Sequence, residues 1–209
     1  MDEIDAERFL LDPDPRAAFA KSLTADLDLL SRAPASRLAE QDADWMVPAS
    51  DLAALRRWGV AIVPDPRPAH RVQLAGDVQH DAEPSITTDD GVRAYLMGTY
   101  WRMRVGAIEK TGTVIGVRTA EDAASFGNFG SYINSSVAAF IEVSWRWAWA
   151  SAALLRLPGE DYEYLFECLE EFRGFVHRLD PVTAAEARDD PDAASAARFT
   201  FWDGIVDGW

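Results

Sequence analysis

Apolar residues recur at helical spacing in two long stretches of the second half of the chain. The first stretch predicts a helix from about residue 135 to residue 157, which Pro158-Gly159 ends. The second predicts a helix over 162–179, because its apolar residues keep to one helix face until Asp180-Pro181 stops it. The apolar positions that predict this buried face are Tyr162, Leu165, Phe166, Leu169, Phe172, Val176 and Leu179.

The middle of the chain has the alternating pattern of a sheet. Residues 95–105 alternate between two faces, which predicts a single half-buried strand. The run Glu109-Lys110-Thr111-Gly112 has the composition of a turn, and residues 113–117 predict a strand that returns antiparallel to the first. A further short strand is predicted over 60–63, where Pro64 stops it.

The first part of the chain is more loosely patterned. Residues 1–45 are predicted to be mainly helical, with breaks at prolines and a short helical piece over 35–43. A capped short helix is predicted to follow Pro48-Ala49-Ser50-Asp51 and to end at Gly59. We therefore predict a helical N-terminal extension, 1–45, followed by one main domain, 46–209.

Charge limits the classes of partner. The 209 residues are 48% hydrophobic, which suits a globular domain, and the formal net charge is −15 with a pI near 4.5. Such an excess of negative charge argues against nucleic acid and anionic membranes as partners. It suits a basic protein, although many proteins are acidic for solubility alone.

The sequence predicts a cytoplasmic protein. The N-terminus is acidic and lacks the basic and apolar regions of a secretory signal, and charged residues interrupt the most apolar segment, 137–157. Cys168 is the only cysteine, so no intrachain disulfide can form.

The residues that commonly carry catalysis are few and scattered. His70, His80 and His177 have no metal-binding spacing, and Cys168 lies between glutamates inside a predicted amphipathic helix. The loop 127–130 lacks the pattern of a phosphate-binding loop. We predict no catalytic residue, no metal and no cofactor; a pair of carboxylates acting on glycosides stays an open alternative, because any acid-rich chain contains such pairs.

An acidic stretch in the first half of the chain is the candidate partner-binding surface. Its spacing differs from that of a calcium loop, which needs a central glycine and a terminal glutamate. The stretch is interpreted either as a solvated face or as a docking face for a basic partner. Its residues are Asp77, Asp81, Glu83, Asp89 and Asp90.

The chain changes from strand-like to helical at Asn134-Ser135-Ser136. Each of these short side chains can accept a hydrogen bond from the free N–H groups of the first helical turn. The sequence leaves open which of the three is the cap. Val137 and Phe140 then begin the apolar face of the following helix.

Several segments together resemble a known family. They are the helix that ends at Trp58-Gly59, the turn Thr111-Gly112-Thr113-Val114, and the run Ile133-Asn134-Ser135-Ser136-Val137-Ala138-Ala139-Phe140. Over residues 50–206 the chain resembles the SUKH superfamily of bacterial immunity proteins, and within it the fourth subgroup, which is common in actinobacteria.

The resemblance implies an α+β fold with a twisted, mainly antiparallel sheet flanked by helices. It implies no catalysis; such proteins neutralise a cognate toxin of a polymorphic toxin system, often a nuclease or deaminase, by binding it. It also implies structural roles for the motif residues: Gly112 forms the turn, Asn134 caps the helix beside Ser135 and Ser136, and Phe140 packs in the core.

The leading hypothesis is therefore a non-enzymatic immunity protein whose partner is a basic toxin. The alternative is a general protein-interaction or scaffold domain of the same fold without a toxin partner. An enzyme with a carboxylate-based site is the third hypothesis, and it predicts a concave pocket with converging acids.

Overall fold

A computed structural model describes residues 12–32, 35–36, 44–61, 85–100, 103–118, 131–158, 162–182 and 202. These residues have the predicted α+β class, with a five-stranded antiparallel sheet and flanking helices. The helices are α1 Pro15–Thr24, α2 Leu27–Leu30, α3 Ala49–Arg57, α4 Val137–Leu154 and α5 Tyr162–Leu179. The strands are β1 Ala35–Ser36, β2 Val60–Ala61, β3 Ser85–Thr87, β4 Arg93–Tyr100, β5 Met103–Ile108, β6 Val114–Arg118 and β7 Ser131–Asn134.

The main sheet is a meander in which each strand pairs with the next along the chain. Its order is β3-β4-β5-β6-β7, and every pair is antiparallel. Between β5 and β6 the chain turns through Lys110 and Gly112, which both have φ of 72°. Glycine adopts this left-handed conformation without the steric cost of a Cβ atom.

The single strand predicted over 95–105 is wrong, because this segment is a hairpin. Tyr100 pairs with Met103, so the chain reverses between them. The register of β4 also shifts between Leu96 and Gly98. This irregularity shifts by one residue the positions of β4 whose side chains face the core. Met97 before the turn and Val105 after it therefore still face the same core. The sequence pattern therefore continues through a reversal of the chain.

Helix α4 lies at the centre of the core. It packs against α1, α2, α3, α5, β2 and β7, which explains why this helix is apolar on more than one side. Trp145 and Trp147 are buried, and the half-buried Trp149 donates its indole N–H to the Leu30 carbonyl at 2.9 Å. A second cluster lies within the sheet apart from this core, formed by Ile86, Ala94, Leu96, Ile115 and Val117.

Residues before position 45 contribute to the same core. Phe19 of α1 is buried in it, and the buried Arg146 of α4 donates to the carbonyls of Ser22 and Ala25 at the end of α1. The division at residue 45 stays a prediction. The helical piece predicted over 35–43 is wrong at Ala35–Ser36, which form a strand paired with β2; residues 37–43 lie outside the described chain.

Candidate partner-binding surface and a buried polar centre

The start of helix α4 has a cap within its own chain segment. Ser136 has an extended backbone, and its hydroxyl accepts a hydrogen bond from the Ala139 N–H at 3.1 Å. Of the three candidates Asn134, Ser135 and Ser136, the serine next to the helix is thus the cap. The implied capping role of Asn134 is wrong, because this residue ends strand β7 and its buried side chain has other partners.

A carboxylate from another helix completes the cap. Asp51 of α3 is 1% exposed, and its Oδ1 accepts from the Ala138 N–H at 3.1 Å. Burial raises the pKa of Asp51, and hydrogen bonds from the Ala138 and Val137 N–H groups oppose that rise in pKa. Asp51 Oδ2 is buried without a hydrogen-bond partner.

A second buried carboxylate, that of Asp180 at the end of helix α5, lies beside the residues that precede α4. Asp180 Oδ2 accepts from the Ser135 N–H at 2.6 Å and from Asn134 Nδ2 at 3.1 Å. The Tyr132 hydroxyl donates to Asp180 Oδ1 at 3.2 Å. Asn134 Oδ1 in turn accepts from the Trp202 indole N–H at 2.9 Å. We call Tyr132, Asn134, Asp180 and Trp202 the polar centre.

These contacts assign the motif residues to the fold. Asn134 and Asp180 lie in the interior, and these contacts connect β7, Ser135 just before the α4 cap, the end of α5 and Trp202. Phe140 is buried with its ring centroid 5.8 Å from that of Trp202. Gly112 forms the turn, as the resemblance implied. Buried groups that bond to one another in this way stabilise a single arrangement of the chain.

Two of the four residues considered for catalysis, Cys168 and His177, lie on helix α5. Cys168 of α5 is buried, and desolvation raises the pKa of its thiol. His177 is half-buried near the end of the same helix, whereas His70 and His80 lie outside the described residues. In the part of the chain that the structure describes, no group of three or more His, Cys, Asp and Glu is arranged to hold a metal ion.

The structure describes two of the five residues predicted to bind a partner. Asp89 and Asp90 are exposed in the turn between β3 and β4, where Asp90 accepts from the Thr88 hydroxyl and Gly91 has φ of 82°. Asp77, Asp81 and Glu83 lie outside the described residues. The structure thus places one acidic turn at the surface.

The sequence interpretation missed a second acidic surface. Helix α5 exposes four glutamates, Glu163, Glu167, Glu170 and Glu171. It also exposes Tyr162 and Phe166, which the spacing predicted to be buried. That prediction is wrong for these two residues. At about 100° per residue, Phe166 lies roughly 120° around the helix from the buried Phe172. The buried stripe of α5 is therefore narrower than its apolar spacing predicts.

Comparisons with known proteins return no relative: no family model matches the chain, and neither the curated proteins nor the solved structures contain a match. Among the helices of the described residues, none combines the length and the apolar character that crossing a bilayer requires.

Proposed function

We propose that this chain is a non-enzymatic immunity protein that acts in the bacterial cytoplasm. It binds and neutralises a cognate toxin of a polymorphic toxin system. The toxin is expected to be a basic protein that acts on nucleic acid, such as a nuclease or a deaminase. Inhibition works by occlusion, since the bound protein covers the groove through which the toxin reaches its substrate.

The observation that carries this proposal is the negative charge of the chain. The formal charge is −15, and exposed carboxylates lie on the turn at Asp89–Asp90 and along helix α5. Enzymes that act on nucleic acid present basic grooves to phosphates. An acidic inhibitor is attracted to such a groove and associates with it quickly at low salt.

The α+β fold and the motif residues support the same proposal. The run Ile133–Phe140 and Gly112 carry the resemblance to the immunity family. Apart from the exposed Ser135 these residues are buried or half-buried, and they contribute to the cap, the turn, the core and the polar centre. Motif residues of this kind maintain a fold and leave the exposed surface free to vary with the partner.

The proposal is tested by capture of the partner. The tagged protein is expressed in its own organism, purified at two salt concentrations, and the co-purifying proteins are identified by mass spectrometry. We expect one stoichiometric partner with a basic toxin domain, held less tightly at the higher salt. The tag alone serves as the control.

Protection of cells completes the test. The captured partner is expressed from an inducible promoter with and without this protein, and growth is followed. Growth arrest that this protein relieves supports the immunity function. Several weak partners, or a partner that does not harm the cell, would contradict it and favour the scaffold alternative.

A further inference from the structure

Helix α5 carries two large aromatic side chains at its surface. Tyr162 is 64% exposed and Phe166 is 65% exposed, and their spacing of four residues places them next to each other on the helix. The connection that precedes α5 begins at Leu155, which is also exposed. Neighbouring aromatic residues that remain in water are typical of a surface that a partner covers.

The side of the helix next to this pair accounts for its attachment to the fold. Cys168, Leu169, Phe172 and Val176 are buried, and Phe172 packs against Trp147 with ring centroids 4.8 Å apart. A third side faces α1, where the Arg16 guanidinium lies 4.1 Å from the centroid of the Tyr164 ring. Tyr162 and Phe166 are therefore not needed to hold α5 in place.

Glutamates flank the two aromatic residues on the side of the helix away from the core. The first ten residues of α5, 162–171, contain four glutamates and no lysine or arginine. All four glutamates are exposed, and Glu170 pairs with Arg173 one turn further along. The exposed face thus places an apolar patch next to a row of negative charges, and protein interfaces likewise combine apolar contacts with a polar margin.

We propose that this face, defined as Tyr162, Glu163, Phe166, Glu167 and Glu170, is where the basic partner docks. The partner places an apolar side chain against Tyr162 and Phe166 and brings arginine or lysine against the neighbouring glutamates. The inference rests on the proposed function, because it names the surface that the partner uses. The acidic turn at Asp89–Asp90 then acts by attraction at longer range.

Charge selects a basic protein over other occupants of the face. A second copy of this chain would bring glutamates against glutamates, in a protein whose formal charge is already −15. Phosphate groups of lipids or nucleic acid would meet the same repulsion. Only a positively charged partner gains both from covering the aromatic pair and from contact with the neighbouring carboxylates.

A synthetic peptide tests the surface without knowledge of the partner. The probe is a fluorescent 18-residue amphipathic helix of leucine and lysine; a lysine–serine peptide of equal charge is its control. Binding is measured by anisotropy to the full chain and to Tyr162→Ala/Phe166→Ala. Met46→Ala is the matched variant, because Met46 is exposed (52%) but lies outside α5.

We expect the double variant to bind the leucine–lysine peptide at least about tenfold more weakly, since each aromatic anchor contributes 1 kcal/mol or more. Met46→Ala should stay within about twofold of the wild type. Glu163→Gln/Glu167→Gln should weaken binding at low salt and lose this effect at high salt. Binding of the peptide by the double variant within about twofold of the wild type would overturn the inference.

Capture of the partner distinguishes failure of the docking face on α5 from failure of the proposed immunity function. The wild type and Tyr162→Ala/Phe166→Ala are used side by side as baits, after circular dichroism has shown that both are folded. Loss of the partner from the variant alone supports the docking face. Equal capture by both overturns it and leaves the immunity function standing. If the wild type captures no single partner, the proposed function fails, and the peptide experiment alone decides on the surface.

Self-association is measured by sedimentation velocity. A monomer, for both the wild type and the double variant, agrees with a surface kept for another protein. A dimer that the double variant abolishes would assign the face to a second copy of the chain and overturn the inference.

Discussion

Gly112 lies against the buried carboxylate of Asp51. A Cβ atom built on Gly112 would stand 2.0 Å from Asp51 Oδ2, which is far inside van der Waals contact. The other oxygen of the same carboxylate accepts from the Ala138 N–H at 3.1 Å. One side chain of α3 therefore binds the start of α4 and packs against the turn between β5 and β6, and the turn can approach it only because residue 112 has no side chain.

The first prediction compares two glycines that share a left-handed backbone. Gly112→Ala and Gly91→Ala both place a side chain at positive φ, 72° and 82°, which costs about 1–2 kcal/mol. Position 91 has open space around it, whereas position 112 meets Asp51. We expect Gly112→Ala to lose roughly a further 1–3 kcal/mol or more of unfolding free energy in urea titrations. Equal losses would show that the carboxylate moves away easily.

The second prediction concerns pH. Because burial raises the pKa of Asp51, the folded state holds this proton more tightly than the unfolded state does. The stability that protonated Asp51 contributes is fully present below the pKa of the unfolded state, near 3.8. It is lost as the pH rises through the higher pKa of the folded state. Asp51→Asn keeps an acceptor for Ala138 and cannot ionise. Its unfolding free energy should improve relative to the wild type as the pH rises.

Asp28 provides a control, because its contribution to stability changes with pH in the opposite direction. Hydrogen bonds from Arg57 and Trp58 lower the pKa of Asp28, so its contribution to stability is present above the unfolded pKa and lost as the pH falls. Asp28→Asn should therefore lose stability relative to the wild type as the pH rises. Denaturant titrations of all three proteins between pH 3.5 and 7.5 make the comparison. Parallel pH profiles for the wild type and Asp51→Asn would contradict the assignment to Asp51.

The third prediction tests the polar centre. Asp180→Ala leaves the Asn134 amide and the Ser135 N–H without their acceptor, which should cost about 2–4 kcal/mol of unfolding free energy. Asp180→Asn retains one acceptor oxygen, and its amide can donate to the Tyr132 hydroxyl, so we expect a smaller loss. Tyr132→Phe should cost about 1 kcal/mol. Equal losses for the two Asp180 variants would show that the amide cannot take the place of the carboxylate.

The long helices could be predicted from sequence because helical spacing is local. The prediction of 162–179 matches Tyr162–Leu179, and the prediction of 135–157 exceeds Val137–Leu154 by two or three residues at each end. The prediction of a single strand over 95–105 is wrong because two features of this segment offset each other in the sequence pattern. The irregularity at Met97 and the reversal after Tyr100 left the apolar alternation unbroken, and the pattern of alternation does not record chain direction.

The polar centre could not be predicted, because its partners are far apart in sequence. Asn134 and Asp180 are separated by 46 residues. The same holds for the carboxylate that completes the cap, since Asp51 and Ala138 are separated by 87 residues. Local spacing could name three candidate caps but could not show that two distant carboxylates satisfy the neighbouring N–H groups. The exposure of Tyr162 and Phe166 on α5 could not be predicted for a related reason. Spacing identifies an apolar stripe, but it does not show how far the core extends around the helix.

The fourth prediction concerns a glycine inside a helix. Gly174 lies in the interior of α5, and a Cβ atom there would approach only the flexible end of Arg178, at 3.3 Å. Gly174→Ala should raise the unfolding free energy by about 0.5–1 kcal/mol, because it reduces the freedom of the unfolded chain. Gly106→Ala is the contrasting variant. Its Cβ would stand 3.1 Å from both Ala94 Cβ and the Tyr95 carbonyl, so it should destabilise the sheet.

The fifth prediction separates attraction at a distance from contact. Asp89→Asn/Asp90→Asn should slow association of the captured basic partner roughly two- to fivefold at low salt, and the difference should vanish at high salt. Asp26→Asn/Asp44→Asn changes the net charge by the same amount, and asparagine can still cap α2. Stopped-flow association rates of both variants make the test. If the two pairs slow association equally, net charge alone steers the partner; if neither does, the acidic turn lies away from the docking path.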